Sequence, residues 1–546
     1  MTEPLPPTAA PPSGPAEGGP GAGRTPVATT SAPGAAQPPL ATAGAPTAAG
    51  GVPATHGPSG ATPAPEAAPL SHAQIRVILV GVILAMFLGA LDQTIVVTAL
   101  PTIGRELGAV ENLTWVVTAY LLTSTVVTPI YGKLSDIHGR RAIMLVAIAI
   151  FLVGSVACAL ATDIRVLILA RALQGIGGGG LISLGQTIVA DIISPRERGR
   201  YMAYFAAVFM TASIAGPAAG GILAEHLHWS AIFWINVPLG LAALLLTNRV
   251  LKQIPRHDRP HRIDYVGALL MLAATLALLL ALSWGGTAYG WASPVILGLL
   301  AASLALWVGF GAWLARAPEP FVPLNLLAIP MVRTGTLSVF FAVGTMVAMT
   351  VYLPLYFEFV FGFTAAQSGL AMIANMAGTV AGAQIAGRIM GRTGRYKITA
   401  VAGLAVATAT ALYLAFGPVP TVWQMQGLTA LLGCGLGVMY PISTVSVQNA
   451  VPAHQMGTAT GVLNFSRSLG GAVLVAGFGA IFLAGAAGSG DQSIQAIILE
   501  GLRGGGEAAP IFRGVFLAAA AGALVAGLLM ASIAELPLRG QQKSAN

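Results

Sequence analysis

Long apolar stretches separated by short polar segments follow one another along the chain from about residue 75 onward. An α-helix rises about 1.5 Å per residue, so about 20 apolar residues cross the hydrocarbon core of a bilayer. The pattern therefore predicts about fourteen membrane-spanning helices, at 75–98, 112–131, 142–161, 165–185, 200–223, 231–250, 265–284, 294–315, 335–360, 369–390, 398–417, 424–447, 458–485 and 512–534.

The composition agrees with a chain that lies mostly in a membrane. Hydrophobic residues make up 55% of the sequence and charged residues only 8%, with a mean hydropathy of +0.78. A soluble domain carries about 25% charged residues. The two cysteines, Cys158 and Cys434, lie in separate apolar stretches without the spacing of a disulfide framework or a metal site. We interpret both as small core residues.

Residues 1–71 differ from the rest of the chain because Pro, Ala, Gly, Ser and Thr dominate them. With few large apolar residues, such a segment cannot bury enough surface to offset the entropy of ordering. It also lacks the basic and apolar regions of a signal peptide. We predict a disordered cytoplasmic tail, followed by a first apolar stretch that remains as a membrane helix.

Lysine and arginine are distributed unequally between the two sets of loops, and this asymmetry predicts the orientation. The loops on one side hold Lys133, Arg140, Arg141, Arg196, Arg198, Arg200, Arg249, Lys252, Arg256, Arg259, Arg262, Arg316, Arg333, Arg388, Arg392, Arg395 and Lys397. The loops on the other side hold only Arg105, Arg165, Arg503 and Arg513. We expect the basic side to be cytoplasmic, with both termini there, in a plasma (inner) membrane. The net charge of +8 is thus a signal of topology and does not indicate nucleic-acid binding.

Two pairs of similar stretches indicate an internal repeat. GKLSDIHGRR at 132–141 is similar to GRIMGRTGRY at 387–396, and IISPRERG at 192–199 is similar to NAVPAHQMG at 449–457. Parallel repeats are typical of transporters, with a site between the halves near the membrane midplane. We predict, in chain order, a tail at 1–71, a six-helix half at 72–250, two inserted helices within 251–334, a second six-helix half at 335–536 and a cytoplasmic tail at 537–546.

Five stretches carry a resemblance to a known family: LDQTIVVTALP (91–101), GKLSDIHGRR (132–141), LILARALQGIGGGG (167–180), SIAGPAAGG (213–221) and IFWINVPLG (232–240). In this order they resemble the major facilitator superfamily, specifically its 14-helix drug:H⁺ antiporter branch of the EmrB/QacA type. The resemblance covers nearly the whole chain beyond residue 71. It implies an all-α integral membrane protein with two six-helix halves plus two inserted helices, and export of drugs in exchange for protons.

Asp92 and Arg171 are charged residues inside the predicted first and fourth helices. A charge at membrane depth costs at least about 2.5–3.5 kcal/mol. At about 1.5 Å per residue, Asp92 is about 24 Å from Arg76 and Arg171 is about 10 Å below the other surface, so their depths are comparable. We hypothesise that Asp92 carries the coupling proton and that Arg171 modulates its proton affinity. The alternative is a static ion pair that only fixes helix packing.

The stretch GKLSDIHGRR contains the candidate gating residues Gly132, Asp136, Gly139, Arg140 and Arg141. The glycines permit a tight turn and close approach, and Asp136 can face the positive end of a helix or an arginine. By the resemblance, this segment is a latch that closes the cytoplasmic side. The alternative is a topology anchor, although that function requires only Lys and Arg. In the second half, a glycine stands at the position that corresponds to Asp136, which weakens the case for a latch there.

The predicted fifth helix contains Gly216, Pro217, Gly220 and Gly221, which remove side chains and one backbone donor. We expect close helix packing and a local kink there. By the resemblance, this motif prevents a leak and favours exchange over uniport, whereas the residues alone predict only the packing.

Candidates for the substrate cavity are Trp115, Tyr120, Trp234, Tyr356 and Arg467. The aromatic side chains suit lipophilic compounds, but the interface belts of membrane proteins account for aromatic residues near helix ends equally well. Arg467 either pairs with substrate or braces the second half. Glu358, near the end of the predicted ninth helix, is interpreted as an exposed rim carboxylate, with a second protonation site as the alternative.

Other classes of function are disfavoured. No HExxH, GxSxG or nucleophile–base set falls at membrane depth, which argues against an enzyme, and no glycine-rich stretch continues into GK[ST], which argues against ATP as the energy source. We expect no cofactor and no metal, with the proton as the coupling ion. The expected partners are small-molecule substrates, lipophilic or cationic, and the lipid bilayer, for a chain that functions as a monomer. The need for an envelope adaptor protein stays open, as does export of one endogenous metabolite, lipid or siderophore in place of drugs.

Overall fold

The computed structural model of the protein describes residues 72–107, 113–253, 264–286, 288–487 and 509–538. The tail predicted at 1–71 lies outside these residues, as do 539–546 of the tail predicted at 537–546. The described residues form seventeen α-helices: α1 (His72–Leu107), α2 (Leu113–His138), α3 (Arg140–Ala159), α4 (Ile164–Ile192), α5 (Pro195–His226), α6 (Ala231–Trp234), α7 (Asn236–Val250), α8 (Tyr265–Trp284), α9 (Pro294–Leu314), α10 (Leu324–Ala328), α11 (Pro330–Phe361), α12 (Ala365–Thr393), α13 (Lys397–Phe416), α14 (Val422–Gly437), α15 (Met439–Ala450), α16 (Met456–Ala487) and α17 (Ala509–Ser532).

Fourteen spans among the described residues are long and apolar enough to cross a membrane, which agrees with the predicted number. The sixth span contains α6 and α7, and the twelfth contains α14 and α15. In each of these spans a proline, Pro238 or Pro441, lacks the N–H that would bond to the carbonyl at the end of the preceding helix. The missing N–H accounts for each interruption locally, although α2, α5 and α11 continue through prolines of their own.

The second helix is longer than the apolar pattern predicts. Its end was expected near residue 131, with a polar loop beyond, but α2 continues to His138 and α3 begins at Arg140. Hydropathy marks where a helix leaves the hydrocarbon, whereas backbone hydrogen bonding continues into the polar stretch. Gly139, with a φ of 85°, makes the turn alone, and Gly132 lies within the helix.

The two halves of the chain pack their helices in the same way. In the first, α1 packs on α5, α2 on α4 and α3 on α7; in the second, α11 packs on α16, α12 on α14 and α13 on α17. Buried apolar side chains fill both halves, among them Leu88 and Phe151 in the first and Leu432 and Phe516 in the second. This correspondence bears out the architecture of two six-helix halves. We call α1–α7 the amino-terminal half and α11–α17 the carboxyl-terminal half.

The halves meet along two seams, α2 against α16 and α5 against α12. The inserted helices α8 and α9 pack on each other, and α8 also contacts both α2 and α16. Leu279 of α8 belongs to an apolar cluster with Leu122 and Val126 of α2, against which Leu469 of α16 packs. The inserted pair therefore lies along the α2–α16 seam.

Asp264 fixes the start of the inserted pair. Its carboxylate accepts hydrogen bonds from the backbone N–H of Gly267 at 2.8 Å, from Nε1 of Trp313 at 2.9 Å and from the backbone N–H of Phe321 at 3.0 Å. One acidic side chain thus caps α8 and ties it to the end of α9 and to the segment that follows.

The boundary between α2 and α3 provides a reference for depth. Lys133, Arg140 and Arg141 lie there, and we call this end of the bundle the basic end and the other the opposite end. Because successive spans alternate in direction, α1 and α16 begin at the basic end, whereas α4 begins at the opposite end.

Candidate functional site

Asp92 and Arg171 form an ion pair in the interior of the amino-terminal half. Oδ2 of Asp92 lies 2.6 Å from Nη1 of Arg171, and the two side chains are only 0% and 1% exposed. The pair joins α1 to α4. The sequence predicts a common depth for these residues, and the structure places them in direct contact.

Two neutral residues complete the surroundings of Asp92. Its Oδ1 accepts hydrogen bonds from Nε2 of Gln174 and Nδ2 of Asn236, each at 2.8 Å. Gln174 follows Arg171 by three residues and so lies on the same face of α4, while Asn236 is the first residue of α7. The sequence reasoning did not single out either residue. Both could have been found as polar residues inside two of the family-like stretches, Gln174 in LILARALQGIGGGG and Asn236 in IFWINVPLG.

The Arg171 guanidinium is enclosed on several sides. Its Nε donates to the carbonyl of Val116 at 3.0 Å, and Nη1 also donates to Oε1 of Gln174 at 2.6 Å. The ring of Tyr120 lies 4.3 Å from the guanidinium carbon, a cation–π distance. Tyr120, predicted for the substrate cavity, thus forms part of the wall around the ion pair and is fully buried.

The glycines at 177–180 allow α4 to approach its neighbours closely. A Cβ at Gly177 would overlap the backbone of Phe151 on α3, and one at Gly179 would overlap the carbonyl of Ser124 on α2. Close backbone contact of this kind is typical of helix packing in membranes. These glycines therefore help to position Arg171 between α1 and α2.

At the basic end, Asp136 joins the two halves. Its carboxylate lies 2.5 Å from Nη1 of Arg140. It also accepts hydrogen bonds from the backbone N–H groups of Gly457 and Thr458, at 2.9 and 2.6 Å, and from the Thr458 hydroxyl at 2.7 Å. Because α16 begins at Met456, Asp136 caps the positive end of a helix in the other half.

Arg140 extends this contact to α4. Its Nε lies 2.8 Å from Oδ2 of Asp191, and its Nη1 donates to Oγ of Ser135 at 2.8 Å. One arginine thus bridges two carboxylates, and Asp191 is a member of the cluster that sequence reasoning missed. Arg141 does not join it, because its guanidinium donates to Oδ1 of Asn248 on α7 at 2.5 and 3.2 Å.

Gly132 contributes close approach between the halves. A Cβ on this residue would overlap the carbonyl of Gly457, and a Cβ on Gly457 would in turn lie 2.5 Å from the carbonyl of Gly132. Each backbone therefore occupies the space that the other's side chain would need. This contact brings the first residues of α16 within reach of Asp136.

A second polar contact between the halves lies near the same end. Nδ2 of Asn464 donates to Oε1 of Gln186 at 2.9 Å, and Nε2 of Gln448 lies 3.5 Å from the Gln186 carbonyl. Nη1 of Arg198 lies 3.5 Å from Oε1 of Gln448, and its other nitrogens donate to carbonyls at the end of α4. Burial lowers the pKa of the Arg198 guanidinium to about 10, so it stays protonated at neutral pH.

Arg467, on α16, is 7% exposed. Its Nη1 donates to Oδ1 of Asn464 at 2.8 Å, and its Nη2 donates to the hydroxyls of Ser443 and Thr444 at 2.9 and 2.6 Å and to the carbonyl of Tyr440 at 3.1 Å. All of these acceptors are neutral. Arg467 therefore differs from Arg171 and Arg140, each of which faces a carboxylate.

The remaining aromatic candidates make other contacts. Trp115 packs edge-on against Trp284 at the end of α8, with 5.8 Å between ring centroids. Tyr356 is buried in an aromatic cluster of the carboxyl-terminal half, 5.2 Å from Phe512. Trp234 is 43% exposed and lies near the opposite end, where the sixth span begins with α6. Their roles in binding substrate remain predictions.

The motif residues of α5 are Gly216, Pro217, Gly220 and Gly221. The helix continues through Pro217 to His226. A Cβ at Gly216 would overlap the side chain of Thr94, and a Cβ at Gly220 would overlap the carbonyl of Ile95, so both glycines pack on α1. Gly221 has no atom within 4 Å of an added Cβ. Gly216 and Gly220 thus serve the α1–α5 contact, and Gly221 does not.

The carboxyl-terminal half repeats this arrangement in Gly470 and Gly471 of α16. A Cβ at Gly470 would overlap the carbonyl of Phe340 on α11, whereas the nearest atom to a Cβ at Gly471 is a Val347 side-chain carbon at 3.4 Å, an ordinary contact. The first glycine of each pair meets a backbone, and the second does not. The packing role of the pair is therefore common to both halves.

Comparison with known proteins assigns the family. The model of the Major Facilitator Superfamily matches residues 82–475. The chain belongs to this superfamily. It is 36% identical over 434 residues to an uncharacterized MFS-type transporter of Mycobacterium tuberculosis (strain ATCC 25618 / H37Rv), over 78% of the chain but only 63% of that relative. It is 34% identical over 409 residues to the multidrug transporter protein MdtP of Bacillus subtilis (strain 168), over 74% of each chain.

Solved structures agree on the fold of this superfamily member. The human organic anion transporter MFSD10 (TETRAN) matches with a TM-score of 0.59 and 17% identity, over 83% of this chain and 99% of that one. The proton:xylose symporter XylE matches with a TM-score of 0.56 and 14% identity, over 84% and 96%. The predicted superfamily and fold are confirmed. A transporter family also supports the expectation that the chain is not an enzyme, whereas its place in the EmrB/QacA type stays a prediction.

Proposed function

We propose that this transporter exports lipophilic or cationic drugs in exchange for protons, by alternating access between its two halves. The observation that carries the proposal is the buried Asp92–Arg171 pair. A carboxylate at membrane depth is costly, and its retention is expected where it exchanges a proton. The efflux relatives support the direction of transport, since one is named a multidrug transporter.

The geometry restricts how the proton is exchanged. Arg171, Gln174 and Asn236, the donors to Asp92, all belong to the amino-terminal half, as does Asp92 itself. Rocking of one rigid half against the other would leave these bonds intact. Proton uptake therefore requires a local change of α1, α4 or α7 that separates Asp92 from Arg171, in step with the opening of a seam.

Asp136, Arg140 and Asp191 act in this scheme as the latch of the basic end, which we propose faces the cytoplasm. The latch closes when the α16 terminus docks on Asp136 and opens when that contact breaks.

The proton gradient supplies enough free energy for the exchange of drug for protons. For an uncharged drug, one proton crossing 100 mV contributes about 2.3 kcal/mol and one pH unit about 1.4 kcal/mol, enough for a substrate gradient on the order of a hundredfold. Exchange of one monocationic drug for one proton moves no net charge, so only the pH contribution remains, enough for about tenfold.

The test uses everted membrane vesicles of wild type and Asp92→Asn with an imposed inside-acid gradient. A lipophilic cationic dye is added, and the gradient is followed with a pH probe. Wild type is expected to lose protons when dye is added, and Asp92→Asn is not. Glu358→Gln, which removes a half-buried carboxylate from α11, is the matched control and is expected to behave as wild type.

Each other outcome corrects the proposal. Dye-dependent proton loss that survives Asp92→Asn would place the coupling proton elsewhere. No response of wild type to any dye would favour the second candidate, export of one endogenous metabolite, lipid or siderophore. The observation that favours this candidate is the buried charge of Arg467, whose hydrogen-bond acceptors are all neutral, because it suits an anionic compound better than a cationic drug.

A further inference from the structure

Arg467 is a buried cation without a counter-ion in the part of the chain that the structure describes. Its bonds go to one amide, two hydroxyls and one backbone carbonyl, all neutral. Its Nε is buried and has no hydrogen-bond partner among the described residues. One donor of the guanidinium is therefore unused, and its charge is not neutralised locally.

Acidic residues are scarce in the surrounding half. Within the described residues of α11–α17 and the segment after them, the carboxylates are Glu358 and Glu535. Glu358 lies three residues before the end of α11 at the opposite end, and Glu535 follows α17 at the basic end. Arg467 is eleven residues into α16, about 16 Å from its start and so near mid-depth. Both carboxylates are therefore remote from it along the membrane normal.

The other buried arginines show what Arg467 lacks. Arg171 faces Asp92, and Arg140 faces Asp136 and Asp191. Arg198 forms no ion pair among the described residues, but the charge of Asp191 acts on it and it donates to carbonyls at the end of α4, the negative end of that helix. A buried charge is normally paired, and one inside a membrane protein marks a functional site by default.

We infer that Arg467 binds an anionic group, a carboxylate, of the transported lipophilic compound. A guanidinium pairs with a carboxylate through charge-assisted hydrogen bonds, and the free Nε–H is available for one of them. Oγ of Ser443 and Oγ1 of Thr444 donate to the carbonyls of Met439 and Tyr440. These hydroxyls act as acceptors for Arg467, so they hold the guanidinium in place without neutralising it.

The position of the site links it to the seam between the halves. Asn464 accepts a hydrogen bond from Arg467 and donates another to Gln186 of the amino-terminal half, at 2.9 Å. A carboxylate that bonds to Nε attaches to the same guanidinium that Asn464 holds through Nη1. Binding at Arg467 therefore affects the Asn464–Gln186 contact, which must break when the basic end opens. This inference rests on the proposed export function and names a class of its substrates.

The test measures binding of two probes to the full chain in lipid nanodiscs, with empty nanodiscs subtracted. The probes are 1-pyrenebutyrate, an amphiphilic carboxylate, and its neutral amide. Wild type is expected to bind the carboxylate at least tenfold more tightly than the amide. Arg467→Gln is expected to weaken carboxylate binding at least tenfold with amide binding unchanged, and Arg467→Lys is expected to retain part of the preference.

Arg513→Gln is the matched control. It removes the same charge from the same half, but Arg513 is an exposed residue of α17 that lies over the ring of Phe416 at 4.6 Å. This variant is expected to bind both probes as wild type does. Chromatographic profile and thermal unfolding of Arg467→Gln show whether it is folded, and Arg467→Lys keeps the test decisive if it is not.

Two results would overturn the inference. One is a wild type that binds both probes equally, and the other is an Arg467→Gln variant that loses both probes in parallel, since either makes Arg467 a packing residue. The assay uses no proton gradient, so its outcome is separate from the test of Asp92. Retained carboxylate preference with no dye-dependent proton loss would favour the dedicated exporter over the drug exporter and leave the anion site.

Discussion

The two halves pack alike but distribute charge differently. In the amino-terminal half the buried Arg171 faces Asp92 at 2.6 Å, whereas in the carboxyl-terminal half the buried Arg467 bonds, among the described residues, to neutral groups only. A buried charge with a counter-ion is neutralised by the protein itself. A buried charge without one is available to a group of opposite charge on a ligand. The comparison is consistent with our two proposals, proton coupling in the first half and recognition of an anionic group in the second.

The basic end shows a second difference of the same kind. In the first half, Asp136 reaches across to the start of α16 in the other half. In the second half Gly391 stands at the corresponding position, and a carboxylate from elsewhere, Glu535, accepts from the N–H groups of Tyr396 and Lys397 at 2.5 and 2.9 Å. The first contact bridges the halves, whereas the second ties α13 to a segment of its own half.

Arg171→Gln and Arg467→Gln make the same substitution at the two buried sites. Arg171→Gln is expected to lower the free energy of unfolding by about 3 kcal/mol or more, because it leaves the Asp92 carboxylate buried without its counter-ion. Arg467→Gln leaves no unpaired buried charge and is expected to change the free energy of unfolding by less than about 1 kcal/mol. Unfolding in mixed micelles measures both. In the double variant Asp92→Asn/Arg171→Gln much of the loss should be recovered, and equal losses at the two arginines would contradict the comparison.

Asp136→Asn tests the cross-half contact. It weakens charge-assisted hydrogen bonds to Arg140 and to the α16 terminus, so the closed basic end is expected to lose about 2 kcal/mol relative to the open one. Spin labels on the exposed His138 and His454, each replaced by Cys in a variant without native cysteines, report the separation of α2 and α16. Longer distances are expected in Asp136→Asn and not in the control Lys133→Gln. An unchanged distance distribution would reduce this contact to a topology anchor.

The glycine pairs test the packing that the halves share. Gly220→Ala and Gly470→Ala place a methyl group against a backbone carbonyl of α1 or α11, and each is expected to lower stability by at least about 1 kcal/mol. Gly221→Ala and Gly471→Ala meet open space or an ordinary contact and are the matched controls. Thermal unfolding of the four variants is the measurement. A half in which both glycines tolerate alanine would break the structural equivalence.

Glu535→Gln is expected to have the smallest effect. The exposed side chain keeps an acceptor but loses the charge that favours the start of α13, a change of about 0.5 kcal/mol that shrinks as salt is raised. A small fall in melting temperature at low ionic strength checks it. Glu225→Gln, an exposed carboxylate near the end of α5, should show no fall, because a negative charge is unfavourable at that end of a helix.

The sequence by itself determined the helices, their number, the repeat and the common depth of Asp92 and Arg171. These properties depend on local chemistry, since about 20 apolar residues in a row must span the hydrocarbon wherever they stand. The polar glycine-rich stretch 132–141 also indicated a carboxylate that faces a helix terminus or an arginine. Asp136 meets both, although the sequence did not identify the helix.

Only the tertiary structure decided which residues meet. Gln174 and Asn236 join Asp92 from helices 82 and 144 residues away along the chain, and Asn464 reaches Gln186 over 278 residues. Apolar periodicity cannot specify such partners, because it describes how far a helix extends and not which side chains of other helices fill the space beside it. That no described carboxylate pairs with Arg467 is likewise a property of the packed helices, since a neighbour in space has no fixed place in the sequence.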